Sequence, residues 1–130
     1  MALPLLTVWY NTRCPVCDAG IDATRNRLLR AARSGAIAFR DINLEPDALA
    51  RYGAGLETVR RSLHGVTTDK AGREHLLTGA DCAIAIWRRT PGREWLGWLL
   101  GLPGCRQIAR IGYEHLADRL YAWNRRHGRW

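Results

Sequence analysis

Cys14-Pro15-Val16-Cys17 sets two thiols three positions apart, directly after the apolar run Leu5-Leu6-Thr7-Val8-Trp9-Tyr10 and directly before a stretch with helical patterning. Such a pair can close a small disulfide ring, and at a strand-to-helix junction one sulfur falls at the helix N-terminus. The same spacing also serves as half of a zinc site. On spacing alone the pair is either a redox switch or half a metal centre. Cys82 and Cys105, the remaining two of the four cysteines, arrive singly within apolar helical patterns. That is the setting of buried, inert cysteines, although both could complete a metal site.

Acidity decides what the pair can do. A thiol of pKa about 8.5 is only about 3% thiolate at neutral pH, whereas a helix N-terminus in a C-x-x-C setting brings it to about 7. With a Brønsted slope of about 0.45 the lower pKa costs roughly fivefold in nucleophilicity while thiolate rises roughly fifteenfold. The net gain for attack is about threefold, and in the second step Cys17 attacks Cys14 Sγ in the mixed disulfide so that the reduced substrate leaves. Cys14 is therefore the expected nucleophile and Cys17 the resolving thiol. Lying ahead of the helix, Cys14 is also expected to be the more exposed. Arg13 either adds a positive field or simply faces solvent.

The surrounding elements must position these sulfurs. Residues 5–10 read as a short buried strand, and Pro15 fits the first helical position with Cys14 as N-cap. Cys17, Ile21, Thr24, Leu28 and Ala32 make the helix's inner stripe, with Gly35 closing it. Residues 37–42 read as a second strand, 45–53 as a short helix, and 63–68 with 73–78 as a hairpin turning through Asp69-Lys70-Ala71-Gly72. Ala80–Arg89 and Glu94–Leu100 read as helices, and Pro103 opens a long one through Trp123. The expected fold is α/β: a single domain over 1–130, with a β-α-β-α-β-β-α core over 1–90 and a helical C-terminal extension over 91–130. A C-x-x-C after the first strand of that order of elements matches the thioredoxin fold.

Bulk properties bound the setting. A chain of 130 residues can bury a core without disulfide staples. Residues 1–6 have no basic region, long apolar core or cleavage site of a leader, and no stretch approaches a membrane span, so a cytoplasmic location is expected. Twenty basic against 12 acidic residues give a net charge of +8, with Lys70 the single lysine. The arginines are dispersed from Arg13 to Arg129, so a nucleic-acid partner is not expected. The densest patch, Arg125-Arg126-His127-Gly128-Arg129-Trp130, reads as a frayed basic helix end.

Longer motifs carry a resemblance. Tyr10-Asn11-Thr12-Arg13-Cys14-Pro15-Val16-Cys17, Leu63-His64-Gly65-Val66, Leu77-Thr78-Gly79-Ala80-Asp81-Cys82-Ala83, Leu102-Pro103-Gly104 and Tyr121-Ala122-Trp123-Asn124-Arg125 span nearly the whole chain. Together they resemble the DCC-type thiol–disulfide oxidoreductase family, formerly a domain of unknown function. The resemblance implies a thioredoxin-like fold and a protein-disulfide reductase; protein or small-molecule disulfides are the expected substrates, and no cofactor or metal is expected. Family members usually begin the motif Tyr-Asp-Gly-x-Cys, so Asn11 stands here where relatives carry a carboxylate. Proteins of this fold also place a loop, usually with a cis-proline, against the C-x-x-C. The corresponding place here is Leu63-His64-Gly65, without proline. His64 is the candidate there for facing the thiols, against a structural role.

Two further readings stand beside catalysis. One is a structural zinc site through Cys14, Cys17, Cys82 and Cys105. The other is a docking module that uses Trp95, Trp98 and the basic C-terminal helix for peripheral membrane or protein contact. For these tryptophans and for Trp9 and Tyr10, core packing is the simpler expectation.

Overall fold

A computed structural model describes residues 5–129; positions 1–4, on which the leader reading mostly rests, and Trp130 of the basic patch lie outside the described residues. Four strands, β1 (Leu6–Tyr10), β2 (Ile37–Asp41), β3 (His64–Thr68) and β4 (Glu74–Thr78), form one sheet in the order β2-β1-β3-β4. β1 runs parallel to β2 and antiparallel to β3, which pairs antiparallel with β4. The register sets Leu6 beside Ile37 and Thr67, and Trp9 beside Arg40 and His64. This is the thioredoxin-like α/β arrangement.

Alternation along the strands sends side chains to two cores. Leu6 and Val8 pack with Leu28 of α1 (Pro15–Arg30) and with Cys82, Ala85 and Ile86 of α3 (Gly79–Arg89). Trp9 turns to the other face and packs with Ile42, Leu49, Ala54 and Val59. Tyr10 is buried edge-on to Phe39, with the Arg25 guanidinium over both rings. A Cβ on Gly65 would lie 3.0 Å from Cys82 Sγ and 3.1 Å from Leu6 Cδ1, so the missing side chain lets α3 dock against β3 and β1.

Several boundaries differ from the sequence reading. α1 ends at Arg30, five residues before Gly35, because Ala32 takes a left-handed conformation (φ 56°) and a 3-10 turn over Ser34–Ala36 follows. Residues 45–53 are not an α-helix: successive turns lead into a 3-10 turn at Ala50–Tyr52. The second helix, α2, is Leu56–Arg61, a segment left unassigned by pattern. It has no side-chain cap, and Val59 is its one buried residue, so packing and not periodicity secures it. The hairpin turns as expected, with Gly72 at φ 81°.

α4 (Glu94–Leu100) and α5 (Cys105–Arg126) complete the chain. Trp95 and Trp98 are exposed, at 63% and 61%, and do not belong to the core. The helix ends at Arg126, within the basic patch, and the chain beyond it turns back onto α5. The Arg129 guanidinium lies 4.2 Å from the Trp123 ring centroid and donates to Asn124 Oδ1 at 3.2 Å, and its backbone N–H meets the Asn124 carbonyl. Among the described residues, no helix is long and apolar enough to cross a membrane.

Candidate functional site

β1 delivers the chain into a tight turn, where Cys14 N–H donates to the Asn11 carbonyl at 3.2 Å and Arg13 N–H to Asn11 Oδ1 at 3.1 Å. Cys14 then caps α1 with Pro15 at the first helical position, and its Sγ accepts the Cys17 N–H at 3.4 Å. The sulfur thus takes the role that a hydroxyl or carboxylate plays at an ordinary N-cap.

The two thiols are driven apart in acidity. The hydrogen bond from the Cys17 thiol lowers the Cys14 pKa to about 6 against the opposing effect of burial, with further help from Cys17 N–H, the Asn124 side chain and Val16 N–H. Cys17 moves far in the other direction, because it gives its proton to that bond, is desolvated and faces the charge of Cys14. One sulfur is a thiolate at neutral pH and the other keeps a proton.

Exposure runs opposite to expectation. Cys14 is only 1% exposed, whereas Cys17 is half-buried. α5 returns to this site: its Ala117, Leu120, Tyr121 and Asn124 line a cavity of about 430 Å³ together with Cys14, Val16, Cys17 and Gly20. Ion pairs fasten α5 in place: Arg61 of α2 meets Glu114 at 2.5 Å and Asp118 at 2.7 Å, and Arg110 meets Asp81 of α3 at 2.9 Å. Tyr121 Oη also donates to Glu57.

The other candidates fall around this centre. Asn11 is 2% exposed, and its Oδ1 also accepts from Asn43 Nδ2 at 2.7 Å. Asn43 bonds Asp41, and Asp41 accepts from Thr12 Oγ1 at 2.8 Å. Asn11 and Pro15 therefore shape the turn and the helix start. Arg13 is exposed and joins through its backbone. His64 is 3% exposed, its Nδ1 meets the Ser62 carbonyl at 2.9 Å, and burial lowers its pKa. It is not among the residues lining the cavity of the cysteines.

Cys82 is fully buried in the core, which pushes its thiol up to about 12, and Cys105 opens α5. Among the described residues no three His, Cys, Asp or Glu side chains gather to hold a metal ion. The residue that sequence reasoning missed is Asn124. It is 1% exposed, lines the cavity and helps to lower the Cys14 pKa. Its signal was present in the Tyr121–Arg125 motif, but only the fold brings residue 124 to residue 14.

The model of the DCC1-like thiol-disulfide oxidoreductase family matches residues 8–126. The chain belongs to this family. Its name carries the coarse activity, thiol–disulfide oxidoreduction, and the match takes in both cysteines of the C-x-x-C and Asn124 of α5. No curated protein and no solved structure matches the chain.

Proposed function

We propose that this DCC1-like protein exchanges disulfides through Cys14 and Cys17, with Cys14 attacking and Cys17 resolving. The observation that carries this reading is the opposed acidity of the two thiols at the N-cap of α1. A Cys14 thiolate attacks one sulfur of a substrate disulfide and forms a mixed disulfide. Cys17 then loses its proton, attacks Cys14 Sγ and expels the second substrate thiol, leaving the Cys14–Cys17 disulfide.

The proton on Cys17 before attack is what keeps Cys14 anionic. Once Cys14 is in the mixed disulfide, its charge is gone and Cys17 no longer donates to a thiolate. The two causes that Cys14 supplies then disappear, leaving burial and the Asp18 charge, so the resolving thiol ionises more readily after capture than before it.

The test is single-turnover exchange between the pre-reduced protein and a model disulfide. Wild type should release two thiols per chain, Cys17→Ser should release one and retain a mixed disulfide on Cys14, and Cys14→Ser should release none. Full release by Cys14→Ser would overturn the assignment.

A further inference from the structure

We propose that the Cys14–Cys17 pair acts on low-molecular-weight apolar disulfides admitted to the cavity between α1 and α5, and not on disulfides displayed by folded proteins. This rests on the dithiol reading above and adds the class of substrate.

Reach is the first argument. Cys14 is 1% exposed and belongs to the lining of a cavity shared with α5, so a disulfide must enter that cavity to meet it, which one held on the surface of a folded protein does not do. The cavity of about 430 Å³ nonetheless opens beside it. That volume falls in the range of small-molecule sites, roughly 300–1,000 Å³. Cys14, Ile21, Ile86, Ala117 and Asn124 are its buried residues, while Val16, Gly20 and Leu116 are exposed and mark its mouth.

The lining supplies the chemical class. Val16, Ile21, Leu63, Ile86, Trp87 and Leu120 give a wall of aliphatic and aromatic surface. The two guanidiniums on the lining are engaged elsewhere: Arg61 with Glu114 and Asp118, and Arg60 with Glu57 and Asn43. An apolar guest therefore gains burial, whereas a charged one gives up hydration without a dedicated counter-ion.

Backbone geometry closes the usual peptide route. An extended substrate chain docks by strand addition, which needs unpaired N–H and C=O groups beside the reacting sulfur. Leu63, the cavity residue that precedes β3, has both engaged. Its N–H donates to Tyr113 Oη of α5 at 2.9 Å, and its carbonyl accepts Gly79 N–H at 2.8 Å.

The reaction balances within the site. Cys14–S⁻ attacks R–S–S–R, giving Cys14–S–S–R and RS⁻. Cys17–SH gives up its proton to that leaving thiolate and attacks Cys14 Sγ, so the second RS⁻ departs and takes a proton from solvent. The dithiol is oxidised by two electrons to the Cys14–Cys17 disulfide, and the substrate is reduced to two thiols.

The experiment compares pre-reduced wild type with dipyridyl disulfide, hydroxyethyl disulfide and insulin, each rate divided by that of free mercaptoethanol thiolate with the same disulfide. Burial of one aromatic ring predicts a normalised preference for the apolar over the polar small disulfide of about tenfold or more. Insulin should be slower than either. Gly20→Leu fills the mouth, where an added Cβ meets nothing within 4 Å, and should lower the apolar-to-polar ratio at least about fivefold. Diphenyl sulfide, which cannot be reduced, should compete with dipyridyl disulfide in wild type and less in the variant. Thr24→Leu, also on the lining, is the second variant should Gly20→Leu not fold.

Insulin reduced as fast as dipyridyl disulfide after normalisation, or a ratio unmoved by filling the mouth, would overturn this inference and leave the dithiol reading intact. Release of thiol from all three disulfides by Cys14→Ser would instead overturn the dithiol reading itself.

Discussion

Asn124, two positions before the end of α5, lines the same cavity as Cys14 at the start of α1, 110 residues earlier in the chain, and its side chain helps to lower the Cys14 pKa. Arg129 occupies the Asn124 carbonyl oxygen at 3.2 Å, which leaves the amide NH₂ for the sulfur. A hydrogen bond to an ionised group is worth about 1.5–3 kcal/mol, so Asn124→Ala should raise the Cys14 midpoint by about one pH unit or more. Asn124→Asp should raise it further, through a like charge. Iodoacetamide alkylation of Cys14 between pH 4 and 10 reads both. An unchanged midpoint would make Asn124 a packing residue only.

The largest cause of Cys14 acidity is the Cys17 thiol, and two substitutions at Cys17 separate its donor from its bulk. Cys17→Ser keeps an O–H to donate, so Cys14 should continue to alkylate with a midpoint well below 8.5. Cys17→Ala removes the donor and should carry the midpoint upward toward the ordinary thiol value. Mass spectrometry of the alkylated peptide assigns each rate to Cys14. Equal midpoints in the two variants would locate the acidity in the helix N-terminus instead.

Much of this was legible because it is local. Pro15 and the two spaced cysteines announce a helix cap, and β-branched and aromatic runs announce the strands. What escaped was non-local. The burial of Cys14 depends on Ala117, Leu120 and Asn124 returning from the far end of the chain, and no pattern around residue 14 reports that. α2 escaped for a different reason: six residues with one buried side chain carry too little periodicity to be told from a loop. The 3-10 turn at Ala50–Tyr52 ends at Gly53, as the glycine suggested, yet its preceding residues form only turns, with Leu49 packed in the core of Trp9 and Ile42.

Stability of the reduced protein should depend on pH through the same pair. Cys14 has a folded pKa of about 6, below the unfolded thiol, so its contribution is fully present above about 8.5 and is lost as pH falls through about 6. Cys17 is raised in the fold, so above about 8.5 the unfolded chain ionises first and stability is lost again. Denaturant midpoints under reducing conditions should therefore rise from pH 6 to 8.5 and then decline. In Cys14→Ser the rising limb should flatten, and an undiminished slope would contradict the depressed pKa.

Asn11 is a structural member of the site whose chemistry can be changed without breaking its bonds. Its Oδ1 serves both Arg13 N–H and Asn43 Nδ2, while its own Nδ2 has no partner among the described residues. Asn11→Ala strips two donors of their acceptor and should destabilise by about 1–3 kcal/mol in urea unfolding. Asn11→Asp retains the acceptor and restores the carboxylate that relatives carry. A charge in the same turn as the sulfur should then raise the Cys14 midpoint, and a stable variant with an unmoved midpoint would show that this position does not speak to the thiol.

Arg61 fastens the cover over the cysteines, and its removal should uncover them. The guanidinium joins α2 to Glu114 and Asp118 on α5 and donates to Ser62 Oγ, at one-third exposure. Exposed ion pairs contribute about 0–1 kcal/mol each, so Arg61→Ala should cost little global stability. Opening of α5, however, needs only local unfolding, and there one or two lost pairs are a larger share of the barrier. Alkylation of Cys14 by a bulky maleimide should accelerate about two- to tenfold in Arg61→Ala, the factor expected from roughly 0.5–1.4 kcal/mol. Iodoacetamide, small enough to use the cavity, should gain less. Equal acceleration of both reagents would point to a changed thiolate instead of a loosened helix.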